Sequence, residues 1–150
     1  MWFLKRYLGC KNDMLKDKYT GSCLCRAIQF QINGPLAPIQ ICHCAQCRHA
    51  QGGPFATNIP VSRSDFQLIS GETSITSYES SPGKRRTFCS QCGSPIFSER
   101  ESLPNVIRVR AGLLDEPVQA TLKFHAFVAS KSSWWPINDD LPQYDAAAPK

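Results

Sequence analysis

The residues in this chain best equipped for chemistry are three tight groups of cysteine. They are Cys23-Leu24-Cys25, Cys42-His43-Cys44-Ala45-Gln46-Cys47 and Cys89-Ser90-Gln91-Cys92-Gly93. Thiols one or two residues apart are badly placed to bridge each other, but a short knuckle aims both sulfurs at a single ion. Gly93 suits such a knuckle, because a residue without Cβ takes positive φ and lets backbone N–H groups face sulfur. A redox C-x-x-C pair is the rival reading of Cys89/Cys92, and it wants a βαβ setting that the surrounding pattern lacks. The spacing therefore points to zinc. Cys10 stands alone and reads as an incidental thiol.

Seven thiols do not divide evenly between two tetrahedral ions, and the natural division is four plus three. Four thiolates close a structural site, whereas three leave a position for water or substrate. Spacing leaves the membership of each site open. Cys42, Cys44 and Cys47 can supply three ligands from one loop, with the knuckles 23/25 and 89/92 tying distant parts of the chain together. An open three-thiolate zinc would carry charge −1 and would suit a soft ligand better than the making of hydroxide. A substrate thiol would enter as thiolate, the nucleophilic form, bringing the site to −2. Positive neighbours are then needed. Arg48 follows the second group directly, and Lys84-Arg85-Arg86 precedes the third. A solvated surface charge is the plainer reading of Lys84.

The elements that must position these thiols read as strands. Ile28, Phe30 and Ile32 alternate with glutamines before an Asn33-Gly34-Pro35 turn, and Phe55, Thr57 and Ile59 alternate before Pro60. Further apolar runs follow at residues 66–68, 75–78, 95–97, 106–109 and 124–128, with a loop at Ser80-Ser81-Pro82-Gly83. The best helical candidate is one or two turns around Cys47–Gln51. Many short strands punctuated by Gly and Pro predict a mainly β domain. A length of 150 residues accommodates one core and leaves little room for a second. Domain limits are expected at 1–17 for a mobile N-terminal extension, 18–144 for the zinc-binding domain and 145–150 for a frayed tail.

Charge and hydropathy exclude several classes. Of the net +5, residues 1–18 carry +3, so the remaining 132 carry only +2, too little for a nucleic-acid stripe. No apolar run approaches the roughly 18 residues of a membrane helix. Lys5-Arg6 interrupts the apolar residues at the start, which argues against a signal peptide despite the box-like Leu8-Gly9-Cys10, and Met14 is an alternative start. The expected compartment is the reducing cytoplasm, where thiols so dense serve metals before disulfides.

The remaining polar and aromatic residues have plainer readings. His43 is expected to point away from the metal its neighbours face, His49 to lie at the surface, and His125 to be packed or hydrogen-bonded. Trp134-Trp135 read as core plugs, and Phe88 as an apolar cover over the structural thiolates.

Read together, Gly21-Ser22-Cys23-Leu24-Cys25, Cys42 to Arg48, Gly53-Pro54-Phe55, Gly71-Glu72 and Ser81 to Gly93 resemble the glutathione-dependent formaldehyde-activating enzyme family, whose domain also occurs in centromere protein V. The likeness spans about residues 18–144. It implies an Mss4-like β-tent of small antiparallel sheets stapled by zinc. It also implies a structural zinc on Cys23, Cys25, Cys89 and Cys92 and a second zinc on Cys42, Cys44 and Cys47. The family reaction joins glutathione to formaldehyde, and in reverse is a carbon–sulfur lyase reaction. The resemblance thus implies a zinc-dependent lyase or transferase working on thiol adducts of small carbonyl compounds, with Cys42, Cys44, Cys47 and Arg48 at its centre. The alternative is a non-enzymatic zinc-stabilised binding or thiol-sensing module. Arg26 departs from the family's usual Gly after the first knuckle; at positive φ it would cost about 1 kcal/mol. His49 and Gln51 also depart, beside the expected open site.

Overall fold

The computed structural model describes residues 16–149. The strands are β1 (Lys18–Ser22), β2 (Gln29–Asn33), β3 (Ile39–Cys42), β4 (Ala56–Ser62), β5 (Phe66–Ser70), β6 (Ile75–Ser81), β7 (Lys84–Cys89), β8 (Pro95–Arg100), β9 (Val106–Arg110), β10 (Leu122–Ala126) and β11 (Gln143–Tyr144). One α-helix, α1 (Ala45–Gln51), follows β3 at the expected place. The mainly β architecture expected from the alternation is present, in a three-stranded sheet of order β1-β2-β5 and an eight-stranded sheet of order β11-β10-β3-β4-β9-β8-β7-β6.

Pairing is antiparallel from β3 through β6, but at one end β10 runs parallel to both β3 and β11. A long connection returns the chain to lie beside β3, with Ala126 opposite Cys42 and His125 opposite Ile41.

Period-2 alternation sorts the sheets into an apolar and a polar face. Phe30 and Ile32 of β2, with Tyr19 of β1, pack against Ile59, Val61, Ile107, Val109 and Phe97 of the large sheet. Phe66 bridges the layers, stacked on Phe30 and edge-on to Phe97. The other face of the large sheet carries Cys42, Asn58, Arg86, Ser98, Arg108 and Arg110, as the registers Gln40↔Asn58↔Arg110 and Arg86↔Ser98↔Arg108 require. Gly71 lets the β5–β6 turn close on the core: its φ is +95°, and a Cβ would lie 2.5 Å from the Ala27 carbonyl oxygen.

Hydrogen bonds tie residues on the outer side of both expected limits to the folded body. Lys16 donates from its N–H to Gln119 Oε1 at 3.0 Å, and Asp17 O accepts from Gly34 N–H at 2.7 Å. In the tail, Ala146 O accepts from Phe127 N–H at 3.0 Å. The rest of the expected extension, with Cys10 and the alternative start at Met14, lies outside the described residues.

Candidate metal centres

Among the described residues all seven cysteines are free, and they form two clusters: Cys23/Cys25/Cys89/Cys92 and Cys42/Cys44/Cys47. Within each cluster the sulfurs lie within 4.8 Å of one another. A tetrahedral zinc with bonds of about 2.3 Å separates its sulfurs by about 3.8 Å. The Cys23–Cys25 and Cys25–Cys89 sulfur separations are 3.6 and 3.8 Å, so the first cluster has the span of a zinc cage. A disulfide would require about 2.05 Å.

The four-thiol cluster sits where the two sheets meet. Cys23 follows β1, and Cys25 lies in the turn before β2. Cys89 closes β7, and Cys92 lies in the turn before β8. Cys23 and Cys89 are fully buried, while Cys25 is exposed. Backbone and hydroxyl groups dress the sulfurs: Ile28 N–H donates to Cys23 Sγ at 3.3 Å, and the Ser94 hydroxyl lies 3.3 Å from Cys92 Sγ. Hydrogen bonds from the Ser94 hydroxyl first, and from the Cys25 backbone next, pull the Cys92 thiol down to about 5. Gly93 takes φ +76°, as its knuckle predicts, and its N–H reaches the Cys89 carbonyl at 2.8 Å. Arg26 stands at φ +63°, in the left-handed region that favours glycine.

The three-thiol cluster is built differently. Cys42 ends β3, Cys44 caps α1 and Cys47 lies in its first turn. Cys44 Sγ accepts from Cys47 N–H at 3.3 Å, so one sulfur both caps the helix and faces the cluster. Three thiols this close cannot all ionise without added positive charge. Hydrogen bonding from Cys42 and Cys44, then the Arg86 charge, holds Cys47 far below the ordinary thiol value. Cys42 is driven far above it, by Cys44 first and then Cys47. A divalent cation resolves that conflict, so the donor set fits zinc.

The positive neighbours come largely from strands. Both Nη1 and Nη2 of Arg86 lie 3.9 Å from Cys47 Sγ, and Arg86 is anchored by Nε on Ser80 Oγ at 3.0 Å. Arg48 is half-buried on α1 and its Nε has no hydrogen-bond partner; the guanidinium hydrogen-bonded to a cluster thiol is that of Arg86. Lys84 corrects the expected surface charge: it is 6% exposed and is pushed down to about 8 by burial, then by Arg100, Arg108 and Arg86. Arg108 and Arg110 were not singled out from the sequence, although the alternation Arg108-Val109-Arg110 puts both on one strand face. Arg110 is 4% exposed and donates to Asn58 Oδ1. Burial pulls Arg110 down to about 10, and the nearby Cys47 sulfur partly restores it.

His43 lies between two cluster cysteines and points to another partner. It is fully buried, with Nε2 2.8 Å from His125 Nδ1, and His125 Nε2 lies 3.0 Å from Asp139 Oδ2. Burial foremost holds the His43 imidazole below its ordinary value. The chain His43–His125–Asp139 pins the loop carrying the cysteines to the parallel strand β10. His49 is exposed and Gln51 half-buried. Phe88 is half-buried beside Cys89. The tryptophans are not core plugs: Trp134 is 66% exposed, and Trp135 is 37% exposed and packs edge-on against Phe55, itself edge-on to His43.

Fold and clusters together define a mainly β domain with two cysteine clusters that could hold metal ions, one spanning the sheets and one at the start of a helix. The chain belongs to the glutathione-dependent formaldehyde-activating enzyme family, whose profile matches residues 18–130. A Halomonas elongata protein named "Putative glutathione-dependent formaldehyde-activating enzyme" is 28% identical over 76% of this chain and 77% of its own. An uncharacterized lyase of Schizosaccharomyces pombe is 30% identical over 53% of this chain and 56% of its own. A Rhodobacter sphaeroides protein of known crystal structure shares the fold, with a TM-score of 0.57 at 23% identity, over 69% of this chain and 99% of that one. Among the described residues, no helix is long and apolar enough to cross a membrane.

Proposed function

We propose that this chain is a zinc-dependent carbon–sulfur lyase or transferase that makes and breaks thiol adducts of small carbonyl compounds. Glutathione and formaldehyde are the pair its family name points to. The reading is carried by the asymmetry of the two clusters: four thiols converge in one and three in the other, with a guanidinium against the second. Cys42, Cys44 and Cys47 would hold the zinc, which when bound would favour the thiolate form of a substrate sulfur.

This chain's own residues do the rest. Arg86 holds positive charge at Cys47 and stabilises the ionised sulfurs, and its Ser80 anchor keeps it from swinging to solvent. Arg48, with a free Nε on the helix that bears Cys44 and Cys47, is the second cation available to the carbonyl oxygen. In the synthetic direction the thiol gives its proton to solvent, sulfur attacks the carbonyl carbon, the C–S bond forms as the C=O π bond breaks, and the resulting alkoxide oxygen takes a proton back from solvent. In reverse the same bond breaks and the thiol is regenerated. The Cys23/Cys25/Cys89/Cys92 cluster supplies folding energy and no chemistry.

The test is NMR exchange spectroscopy of formaldehyde–glutathione adduct formation, measured against the uncatalysed background. The expected result is exchange at least tenfold faster with the protein and at background with Cys44→Ser. Serine preserves the helix cap, so that variant should remain folded. Full exchange in Cys44→Ser would remove the proposed role of the three-thiol site. A zinc content of one per chain, with the triad thiols readily alkylated, would favour the binding or thiol-sensing reading instead.

A further inference from the structure

Two lines of contact run from residues 131–141 to the ring of His43, the residue between Cys42 and Cys44. The first is polar. Asp139 Oδ2 lies 3.0 Å from His125 Nε2, and His125 Nδ1 lies 2.8 Å from His43 Nε2. A carboxylate only accepts, so His125 donates from Nε2, and with both rings neutral its Nδ1 accepts from His43. The second line is aromatic. Trp135 meets Phe55 edge-on with ring centroids 5.5 Å apart, and Phe55 meets His43 edge-on at 5.4 Å. The segment is itself braced: Lys131 Nζ donates to Trp135 O at 3.0 Å, and Leu141 N–H donates to Asp139 Oδ1 at 3.0 Å. His43 and His125 are buried, whereas the Asp139 side chain is 44% exposed. A swing of the His43 ring would carry the backbone of Cys42 and Cys44 with it, and the sulfurs of these two lie within 4.8 Å of each other and of Cys47.

We propose that Asp139 is a positioning residue for the three-thiol site: through His125 and His43 it fixes the loop that carries Cys42 and Cys44, and so sets how tightly that site holds zinc. The inference rests on the zinc reading of the three-thiol cluster and not on the lyase chemistry. Groups that act on a metal through its ligands' surroundings are typically worth 10- to 100-fold in affinity. The coupling is reciprocal, so emptying the three-thiol site should loosen residues 131–142. Asp139 is the member of the chain to change, because a half-exposed side chain leaves no sealed cavity when it is cut back.

The test is titration of the zinc-loaded full-length protein with a chromogenic chelator. The unaltered protein should give up two zinc ions in separate steps, the three-thiol ion first. In Asp139→Ala the affinity read from the first step should fall at least about tenfold, with the second step unmoved. Asp139→Asn keeps an oxygen that accepts from His125 Nε2–H, so it should recover most of that loss. Asp140→Ala removes the same charge one residue on and should match the unaltered protein. With cobalt in place of zinc, the d–d absorption of the three-thiol ion should change in Asp139→Ala and return in Asp139→Asn. An unmoved first step, an equal shift of both steps, no recovery with asparagine, or an equal loss in Asp140→Ala would overturn the proposal. A second readout needs no variant and stands even if Asp139→Ala does not fold. In the unaltered protein, removal of the first ion should speed amide hydrogen exchange across residues 131–142 and leave residues 89–92 protected. Unchanged exchange across 131–142 would overturn the proposal too. A single zinc per unaltered chain would remove the zinc reading and this inference together. Two ions with the expected shifts but no turnover would sink the lyase reading alone.

Discussion

Breaking the four-thiol cluster should cost far more stability than breaking the three-thiol one, although each change removes one sulfur. The Cys25–Cys89 contact joins residues 64 apart, linking the turn before β2 to the end of β7. Treated as a cross-link on the unfolded chain, closure of a ring that size is worth about 4 kcal/mol. Cys42 to Cys47 closes a ring of only five residues, for which the same relation gives about 2 kcal/mol. Part of that is already secured by α1, and Cys44→Ser keeps the cap on Cys47 N–H. Cys89→Ser also leaves a fully buried hydroxyl where a ligand sulfur belongs. At about 2–4 °C per kcal/mol for a chain of this size, Cys89→Ser should lower Tm by about 8–16 °C and Cys44→Ser by a few degrees at most. Thermal unfolding followed by circular dichroism, with zinc measured on the same samples, gives both numbers. A strong chelator should reproduce the larger drop in the unaltered protein. Equal shifts for the two variants, or a chelator-stripped chain that melts unchanged, would refute the assignment of the structural staple to Cys23, Cys25, Cys89 and Cys92.

Three further outcomes follow from the backbone and the buried charge. Gly71→Ala combines positive φ with a Cβ 2.5 Å from Ala27 O, so denaturant titration should show a loss of about 2–4 kcal/mol; a loss under 1 kcal/mol would mean the turn can shift. Arg26→Gly relieves the φ +63° backbone at some cost in unfolded-chain entropy, so it should stabilise by up to about 1 kcal/mol, and a destabilised variant would show that the Arg26 side chain contributes there. Lys84 is depressed from 10.5 to about 8, so the unfolded chain binds more protons between those values and stability should rise with pH across that window. The slope is at most about 1.4 kcal/mol per pH unit. Lys84→Met should remove that part of the rise, and an unchanged slope would show that Lys84 does not carry it.

Most of the site was legible in the chain because metal knuckles are local. Cys23/Cys25, Cys42/Cys44/Cys47 and Cys89/Cys92 bring their sulfurs together within a few residues, and the strands and the short helix α1 follow from alternation and its interruption around Cys47–Gln51. Spacing could not say which knuckles share an ion. That pairing rests on β1–β2 packing against β7–β8 across the core, a contact between residues 64 apart. The same holds for the bond from His43 to His125, residues 82 apart, which needs β10 to lie parallel beside β3. Lys84 read as a surface residue because a lone lysine carries no sign of the sheet that will cover it. Arg108 and Arg110 carry no signal in the sequence, because two arginines on an alternating strand are ordinary until the register sets them beside Arg86 and the cysteine cluster. Local chemistry depends on neighbours in sequence, whereas the charge surrounding it depends on strand order and register, which arise only as the whole sheet closes.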